Sequence, residues 1–166
     1  MDFAGIYDRY FAKIYNYVRY HVGSPAEADD ITGRVFEAAL NRLSTYDAAR
    51  APVRVWLFGI ARNAVIDWVR ARNRRGEVVL DDINERVGAE PLVENLLEGK
   101  EETVLLLEAV SALDERSRDM IALKFSSGMT NRDIARMTGL GESNVGVIIY
   151  RAVKRLQAAL ETKGRI

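Results

Sequence analysis

Asn144, Val147, Ile148, Arg151, Lys154 and Arg155 share one side of a stretch whose other side is apolar. There Val145, Ile149, Ala152 and Leu156 recur at helical steps of four, three and four. Amides and guanidinium groups bond base edges and phosphates, and aliphatic side chains meet thymine methyls, so this set suits a DNA major groove. A second set lies earlier in the chain, where Arg54, Arg62, Asn63, Asp67 and Arg70 are interspersed with Tyr46, Trp56, Phe58 and Trp68. Arginines that hold phosphates beside aromatic faces that stack bases are what single-stranded nucleic acid requires. A plain helical hairpin would show the first pattern, and a basic amphipathic helix with core tryptophans the second. Spacing alone does not separate these readings.

Other chemistries find little support. There is no cysteine and a single histidine, His21, which excludes a disulfide framework and a thiolate zinc site; no metal or cofactor is expected. His21 falls near the end of a predicted helix, where it would serve as a charge partner. Asp29 and Asp30 are adjacent on a helix and so diverge, there is no glycine-rich phosphate loop, and no nucleophile sits beside a base. No catalytic residue is assigned, and the chain reads as a non-enzyme.

The elements that must position the two sets are helices. MTNRDIARMTGLGESNVGVIIYRAVKRL, from Met129 to Leu156, reads as two helices about a turn. Gly128 ends the helix before it, Thr130 and Asp133 make a capping box, and Ile134, Ala135 and Met137 form the buried side. Gly139 and Gly141 flank Leu140 in the turn, and Glu142, Ser143 and Asn144 offer acceptors to the next helix start. That is a helix-turn-helix pattern.

Going back to the N-terminus, Asp2 caps a helix over Phe3 to His21 that stops at Gly23, with Phe3, Tyr7, Tyr10, Phe11, Ile14, Tyr17 and Val18 inward. Ser24-Pro25-Ala26-Glu27 starts a second helix running to about Leu43, burying Ala28, Ile31, Val35, Ala39 and Leu43. Its outer face shows Glu27, Asp30, Arg34, Glu37 and Arg42, either a solvated face or a docking face. After a loop over Ser44 to Pro52, a long helix runs from Val53 to Arg75, with Trp56, Leu57, Ile60, Ala61, Ala64, Val65 and Trp68 on its apolar side. A helix from about Glu101 to Leu113 turns in Leu105, Leu106 and Val110. Asp114 then caps one whose Met120, Ile121, Leu123 and Phe125 pack inward.

Formal net charge is zero over 166 residues, but the charge is segregated. Val53 to Arg75 holds six arginines against Asp67, and Gly76 to Glu102 holds nine acids against Arg86 and Lys100. Such asymmetry points to separate charged surfaces. The fold expected is all-α, with two small helical bundles, residues 1–75 and 101–166, joined by a flexible acidic linker over 76–100 that has a short helix near Leu92 to Leu97. No apolar run approaches the ~20 residues that span a bilayer, and MDFAGIYDRYF lacks a signal pattern, so a cytoplasmic protein without membrane insertion is expected.

Two blocks together resemble a known family. ADDITGRVFEAALNRLSTYD with VRVWLFGIARNAVIDWVRARNRR, and LDERSRDMIALKFSSGMTNRDIARMTGLGESNVGVIIYRAVKRL, are similar in order and spacing to regions 2 and 4 of extracytoplasmic-function (ECF) RNA polymerase sigma factors. The resemblance implies binding to core RNA polymerase and promoter DNA, with an anti-sigma factor as a regulator. It implies polymerase docking through Asp29, Asp30 and Arg34. Capture of the melted minus-ten strand falls to Tyr46, Asp47, Arg50, Arg54, Trp56, Arg62, Asn63 and Asp67, and minus-thirty-five reading to Asn144, Val147, Ile148, Arg151, Lys154 and Arg155. The acidic linker matches the segment threaded through polymerase. The family often has Gln-Glu where this chain has Gly33-Arg34, and basic or hydroxylated residues where it has Gly146, Val147 and Ile148. The latter change implies weaker, more apolar readout. A stand-alone helix-turn-helix regulator and an interaction module acting by sequestration are the alternatives.

Overall fold

The computed structural model describes residues 2–76 and 100–162, so the acidic segment and the expected helix near Leu92 to Leu97 lie outside the described residues. The described residues are helical without strands: α1 (Phe3–His21), α2 (Pro25–Arg42), a 3-10 turn (Leu43–Thr45), α3 (Val53–Arg74), α4 (Lys100–Ser111), α5 (Glu115–Ser127), α6 (Asn131–Thr138) and α7 (Glu142–Thr162).

Helix starts follow the expected caps. The side chains of Asp2, Ser24, Asp114 and Thr130 accept from the backbone N–H of Ala4, Glu27, Ser117 and Asp133 at 3.2, 3.4, 3.2 and 3.1 Å. Each satisfies an amide that the first turn leaves without a helical partner. Gly128 and Gly139 end α5 and α6 at φ of 73° and 80°, a conformation glycine adopts without Cβ strain. Gly141 does not share this backbone; its carbonyl accepts from Val145 N–H at 2.9 Å and so opens α7.

Helices α1–α3 form one bundle and α4–α7 another, and the two pack on each other with α1 lying along α5. A continuous apolar core runs through both, from Ile14, Val35 and Leu57 to Leu123, Ile134 and Ala152. Helix α7 buries Val145, Ile149, Ala152 and Leu156, the four residues expected from spacing.

Some expected core residues turn out otherwise. Phe125 is 58% exposed, since residues two apart on a helix are about 200° apart and Leu123 already faces inward. Tyr7 is 41% exposed; it forms the outer edge of an aromatic cluster, 4.9 Å from Phe36 and 5.2 Å from Phe11. In α4 the buried positions are Thr103, Leu107, Ala109, Val110 and Ser111, while Leu105 and Leu106 are half-buried. The run Val104 to Leu107 is apolar all round, so periodicity could not choose its inner face.

Candidate nucleic-acid interface and the joint beside it

The outward face of α7 is laid open by the burial of its other face. Asn144, Val147, Arg151, Lys154 and Arg155 are exposed, whereas Ile148 is half-buried and packs against the core. Arg155 is engaged by its own bundle: Nη1 lies 3.3 Å from Asp114 Oδ1, and Nη2 donates to Ser117 Oγ at 3.2 Å. The Lys154 ammonium sits over the Tyr150 ring at 5.5 Å and remains exposed. Arg151 and Lys154 are therefore the cations best placed to meet phosphate.

In the first bundle the residues matched to strand capture do not form one patch. Tyr46 and Trp56 pack together with ring centroids 4.9 Å apart, and the Tyr46 hydroxyl donates to the Ala51 carbonyl at 2.9 Å, folding the loop over the start of α3. Asp47 and Arg50 are exposed in that loop, with Asp47 Oδ1 accepting from Ala49 N–H at 2.9 Å. Asn63 and Asp67 line a groove of about 800 Å³ between α2 and α3, together with Arg34. Asp29, Asp30 and Arg34 are exposed on α2. Phe58, which the sequence places among potential stacking rings, is wholly buried and packs edge-on to Tyr17 at 5.7 Å.

Arg54 and Arg62 face the other bundle. Arg54 Nη1 lies 3.6 Å from where a Cβ would stand on Gly128. Arg62 Nε donates to Asp119 Oδ2 at 2.8 Å, across the joint between α3 and α5. The same carboxylate accepts from the Tyr17 hydroxyl at 2.7 Å, and His21 Nε2 lies 3.3 Å from its Oδ1. Thus three side chains of the first bundle converge on one acid of the second. Asp119 drew no notice in the sequence because an acid on an amphipathic helix ordinarily faces water.

Burial pushes the Asp119 carboxyl up, but the bonds from His21, Arg62 and Tyr17 more than offset it and hold it at about 2. Burial first, and then Asp119, push the Tyr17 phenol well above its usual range. A depressed carboxylate contributes stability that is complete above its unfolded value of roughly 4 and is lost as pH falls through 2. We expect about 2 kcal/mol of stability to disappear across that window. Asp119→Asn should remove this part of the acid dependence in denaturant titrations at graded pH; an unaltered profile would contradict the assignment.

Other arginines of the basic stretch serve the fold. Arg72 is 5% exposed, 3.7 Å from Glu27 and 4.9 Å over the Trp68 ring. Among the described residues, no helix is long and apolar enough to cross a membrane.

The chain matches the family descriptions sigma-70 region 2 over residues 6–75 and sigma-70 region 4 over residues 103–156. It is 31% identical to the ECF RNA polymerase sigma factor BldN of Streptomyces coelicolor, over 98% of this chain but only 62% of BldN, so it spans less than two thirds of that relative. It is 32% identical to the RNA polymerase sigma factor CnrH of Cupriavidus metallidurans, over 81% of this chain and 74% of CnrH. Among solved structures, CnrH in complex with the cytosolic domain of CnrY is similar with a TM-score of 0.67 at 25% identity, covering 96% of this chain and 88% of that one. RpoE of Bartonella quintana, in complex with the anti-sigma factor NepR, gives a TM-score of 0.78 at 20% identity over 96% and 97% of the two chains, a likeness of fold.

Proposed function

Because this chain belongs to the extracytoplasmic-function group of RNA polymerase sigma factors and carries regions 2 and 4, we propose that it joins core RNA polymerase and directs initiation at particular promoters. The family is one of transcription factors, not enzymes. The observation that carries the reading is α7, whose apolar face is wholly engaged while Asn144, Val147, Arg151 and Lys154 stand free for a groove. Region 2 spans residues 1–75 and region 4 spans 101–166 in this reading, with 76–100 connecting them.

Asp29, Asp30 and Arg34 dock polymerase. Tyr46, Asp47, Arg50, Arg54, Trp56, Arg62, Asn63 and Asp67 hold the opened minus-ten strand, where stacking and phosphate contacts offset the loss of base pairing. An anti-sigma factor restrains the protein, as NepR and its sigma factor were found together in a similar structure. The protein acts in the cytoplasm, where polymerase and promoters are.

Co-elution with bacterial core polymerase, followed by selective initiation on a library of promoter fragments, is the expected result. Failure of both would favour a stand-alone regulator. Within region 4, Arg151→Ala with Lys154→Ala should weaken duplex binding roughly tenfold and reduce the salt slope by about 2, since each cation releases about one counterion. An unchanged slope would remove these residues from the interface.

A further inference from the structure

The joint between the bundles engages Arg54 and Arg62, two of the residues proposed for strand capture, and leaves the groove-reading face of α7 open. Arg62, one of the residues assigned to the melted strand, has its guanidinium on the Asp119 carboxylate at 2.8 Å, with side chains 26% and 14% exposed. A carboxylate is close to a phosphate in charge and as an acceptor for guanidinium, so Asp119 satisfies on Arg62 a donor that a strand phosphate would otherwise take. Tyr17 and His21 fix that carboxylate from α1, and Arg54 is drawn toward the Gly128 turn at the same joint. Meanwhile Asn144, Val147 and Arg151 are exposed.

We infer that Asp119 is an internal latch: by standing in for a strand phosphate on Arg62 it holds regions 2 and 4 closed and masks single-strand capture, while duplex reading by region 4 stays available. This rests on the reading of Arg62 as a strand contact. Asp119 holds the Nε of Arg62, so a strand phosphate competes with it for the guanidinium, and strand capture favours an open joint. Opening costs the Asp119 bonds, which polymerase docking of the two halves at separate places would offset.

The chain has no cysteine, so Glu37→Cys and Glu161→Cys, both at exposed positions, provide labels for energy transfer between the bundles of the full chain. The closed protein should give high transfer, and Asp119→Asn, which keeps shape and removes charge, should lower it. Fluorescent random-sequence 12-nucleotide single-stranded DNA should then bind Asp119→Asn at least fivefold more tightly, with duplex binding unchanged. Arg62→Ala opens the joint from the other side and should lower transfer without the gain in DNA binding; it also serves should Asp119→Asn fold poorly by circular dichroism. Unchanged transfer in both variants overturns the latch whatever the DNA result. Lowered transfer with no gain in single-strand affinity for Asp119→Asn overturns the masking and locates the fault in the strand-capture assignment of Arg62.

Discussion

Phe58→Ala is expected to lower stability by about 3–5 kcal/mol, whereas Trp56→Ala, two residues away, should cost about 1 kcal/mol and instead impair promoter opening. Phe58 is wholly buried, so truncation removes its transfer energy and leaves a cavity beside Tyr17 in a core that is close-packed. Its edge supports Tyr17, whose hydroxyl holds Asp119, so the loss should also loosen the joint with region 4. Trp56 is half-buried, leans on Tyr46, and keeps a face available. Urea denaturation of the two variants separates them in stability, and open-complex assays with polymerase separate them in function. A Trp56→Ala loss as large as that of Phe58→Ala would make Trp56 a core residue and remove the basis for its role in strand capture.

The Phe58 and Trp56 pair shows what spacing along a helix reveals and what it omits. The frame of the helix-turn-helix is legible, because its parts rest on local chemistry: Thr130 as cap, Gly139 in the turn, and the buried series Val145, Ile149, Ala152 and Leu156. The first two helices were equally open to reading, since Asp2 and Ser24 mark their starts. The long third helix was harder, for its apolar residues are spread over much of its circumference and it touches α1, α2 and the second bundle on different sides. Which aromatic is core and which is surface is then a tertiary fact. So Phe58 could be counted with the stacking rings although it is sealed inside.

Charge was the least legible. Counting six arginines in Val53 to Arg75 suggests one basic surface, but they point to different surroundings. Arg72 lies over Trp68 beside Glu27, Arg62 is held by Asp119 from 57 residues away, and Arg70 and Arg74 face water. The partner of Arg62 comes from beyond the acidic segment, so no local window contains the information. The expected separation of charged surfaces is real in composition, yet part of the basic charge is consumed in joining the two halves.

Arg118→Ala should lower stability by about 3–4 kcal/mol, although the sequence shows this residue as one more cation on a polar helix start. Arg118 is 8% exposed, and burial pulls its guanidinium below the usual arginine range despite the opposing fields of Glu115 and Asp114. Its Nη2 donates to the carbonyls of Ser111 and Leu113 at 3.0 and 2.8 Å, and its Nε to that of Val110 at 3.4 Å. Those of Ser111 and Leu113 lie past the last amides of the helical ladder, whereas that of Val110 also accepts from Leu113 N–H at 3.1 Å. Truncation strands the Ser111 and Leu113 carbonyls in a buried site, and each unsatisfied group costs about 1–3 kcal/mol, reduced where water can enter. Lysine should not rescue, since an ammonium on a flexible stem lacks the planar fork that serves three acceptors from one position. Arg19 plays the same part at the end of α1, where its Nη1 donates to the carbonyls of Val22 and Gly23, both at 3.2 Å. The comparison of Arg118→Ala with Arg118→Lys by urea denaturation decides the mechanism. Equal, large losses identify the fork as the stabilising feature. Recovery by lysine would mean that positive charge at the helix end is sufficient.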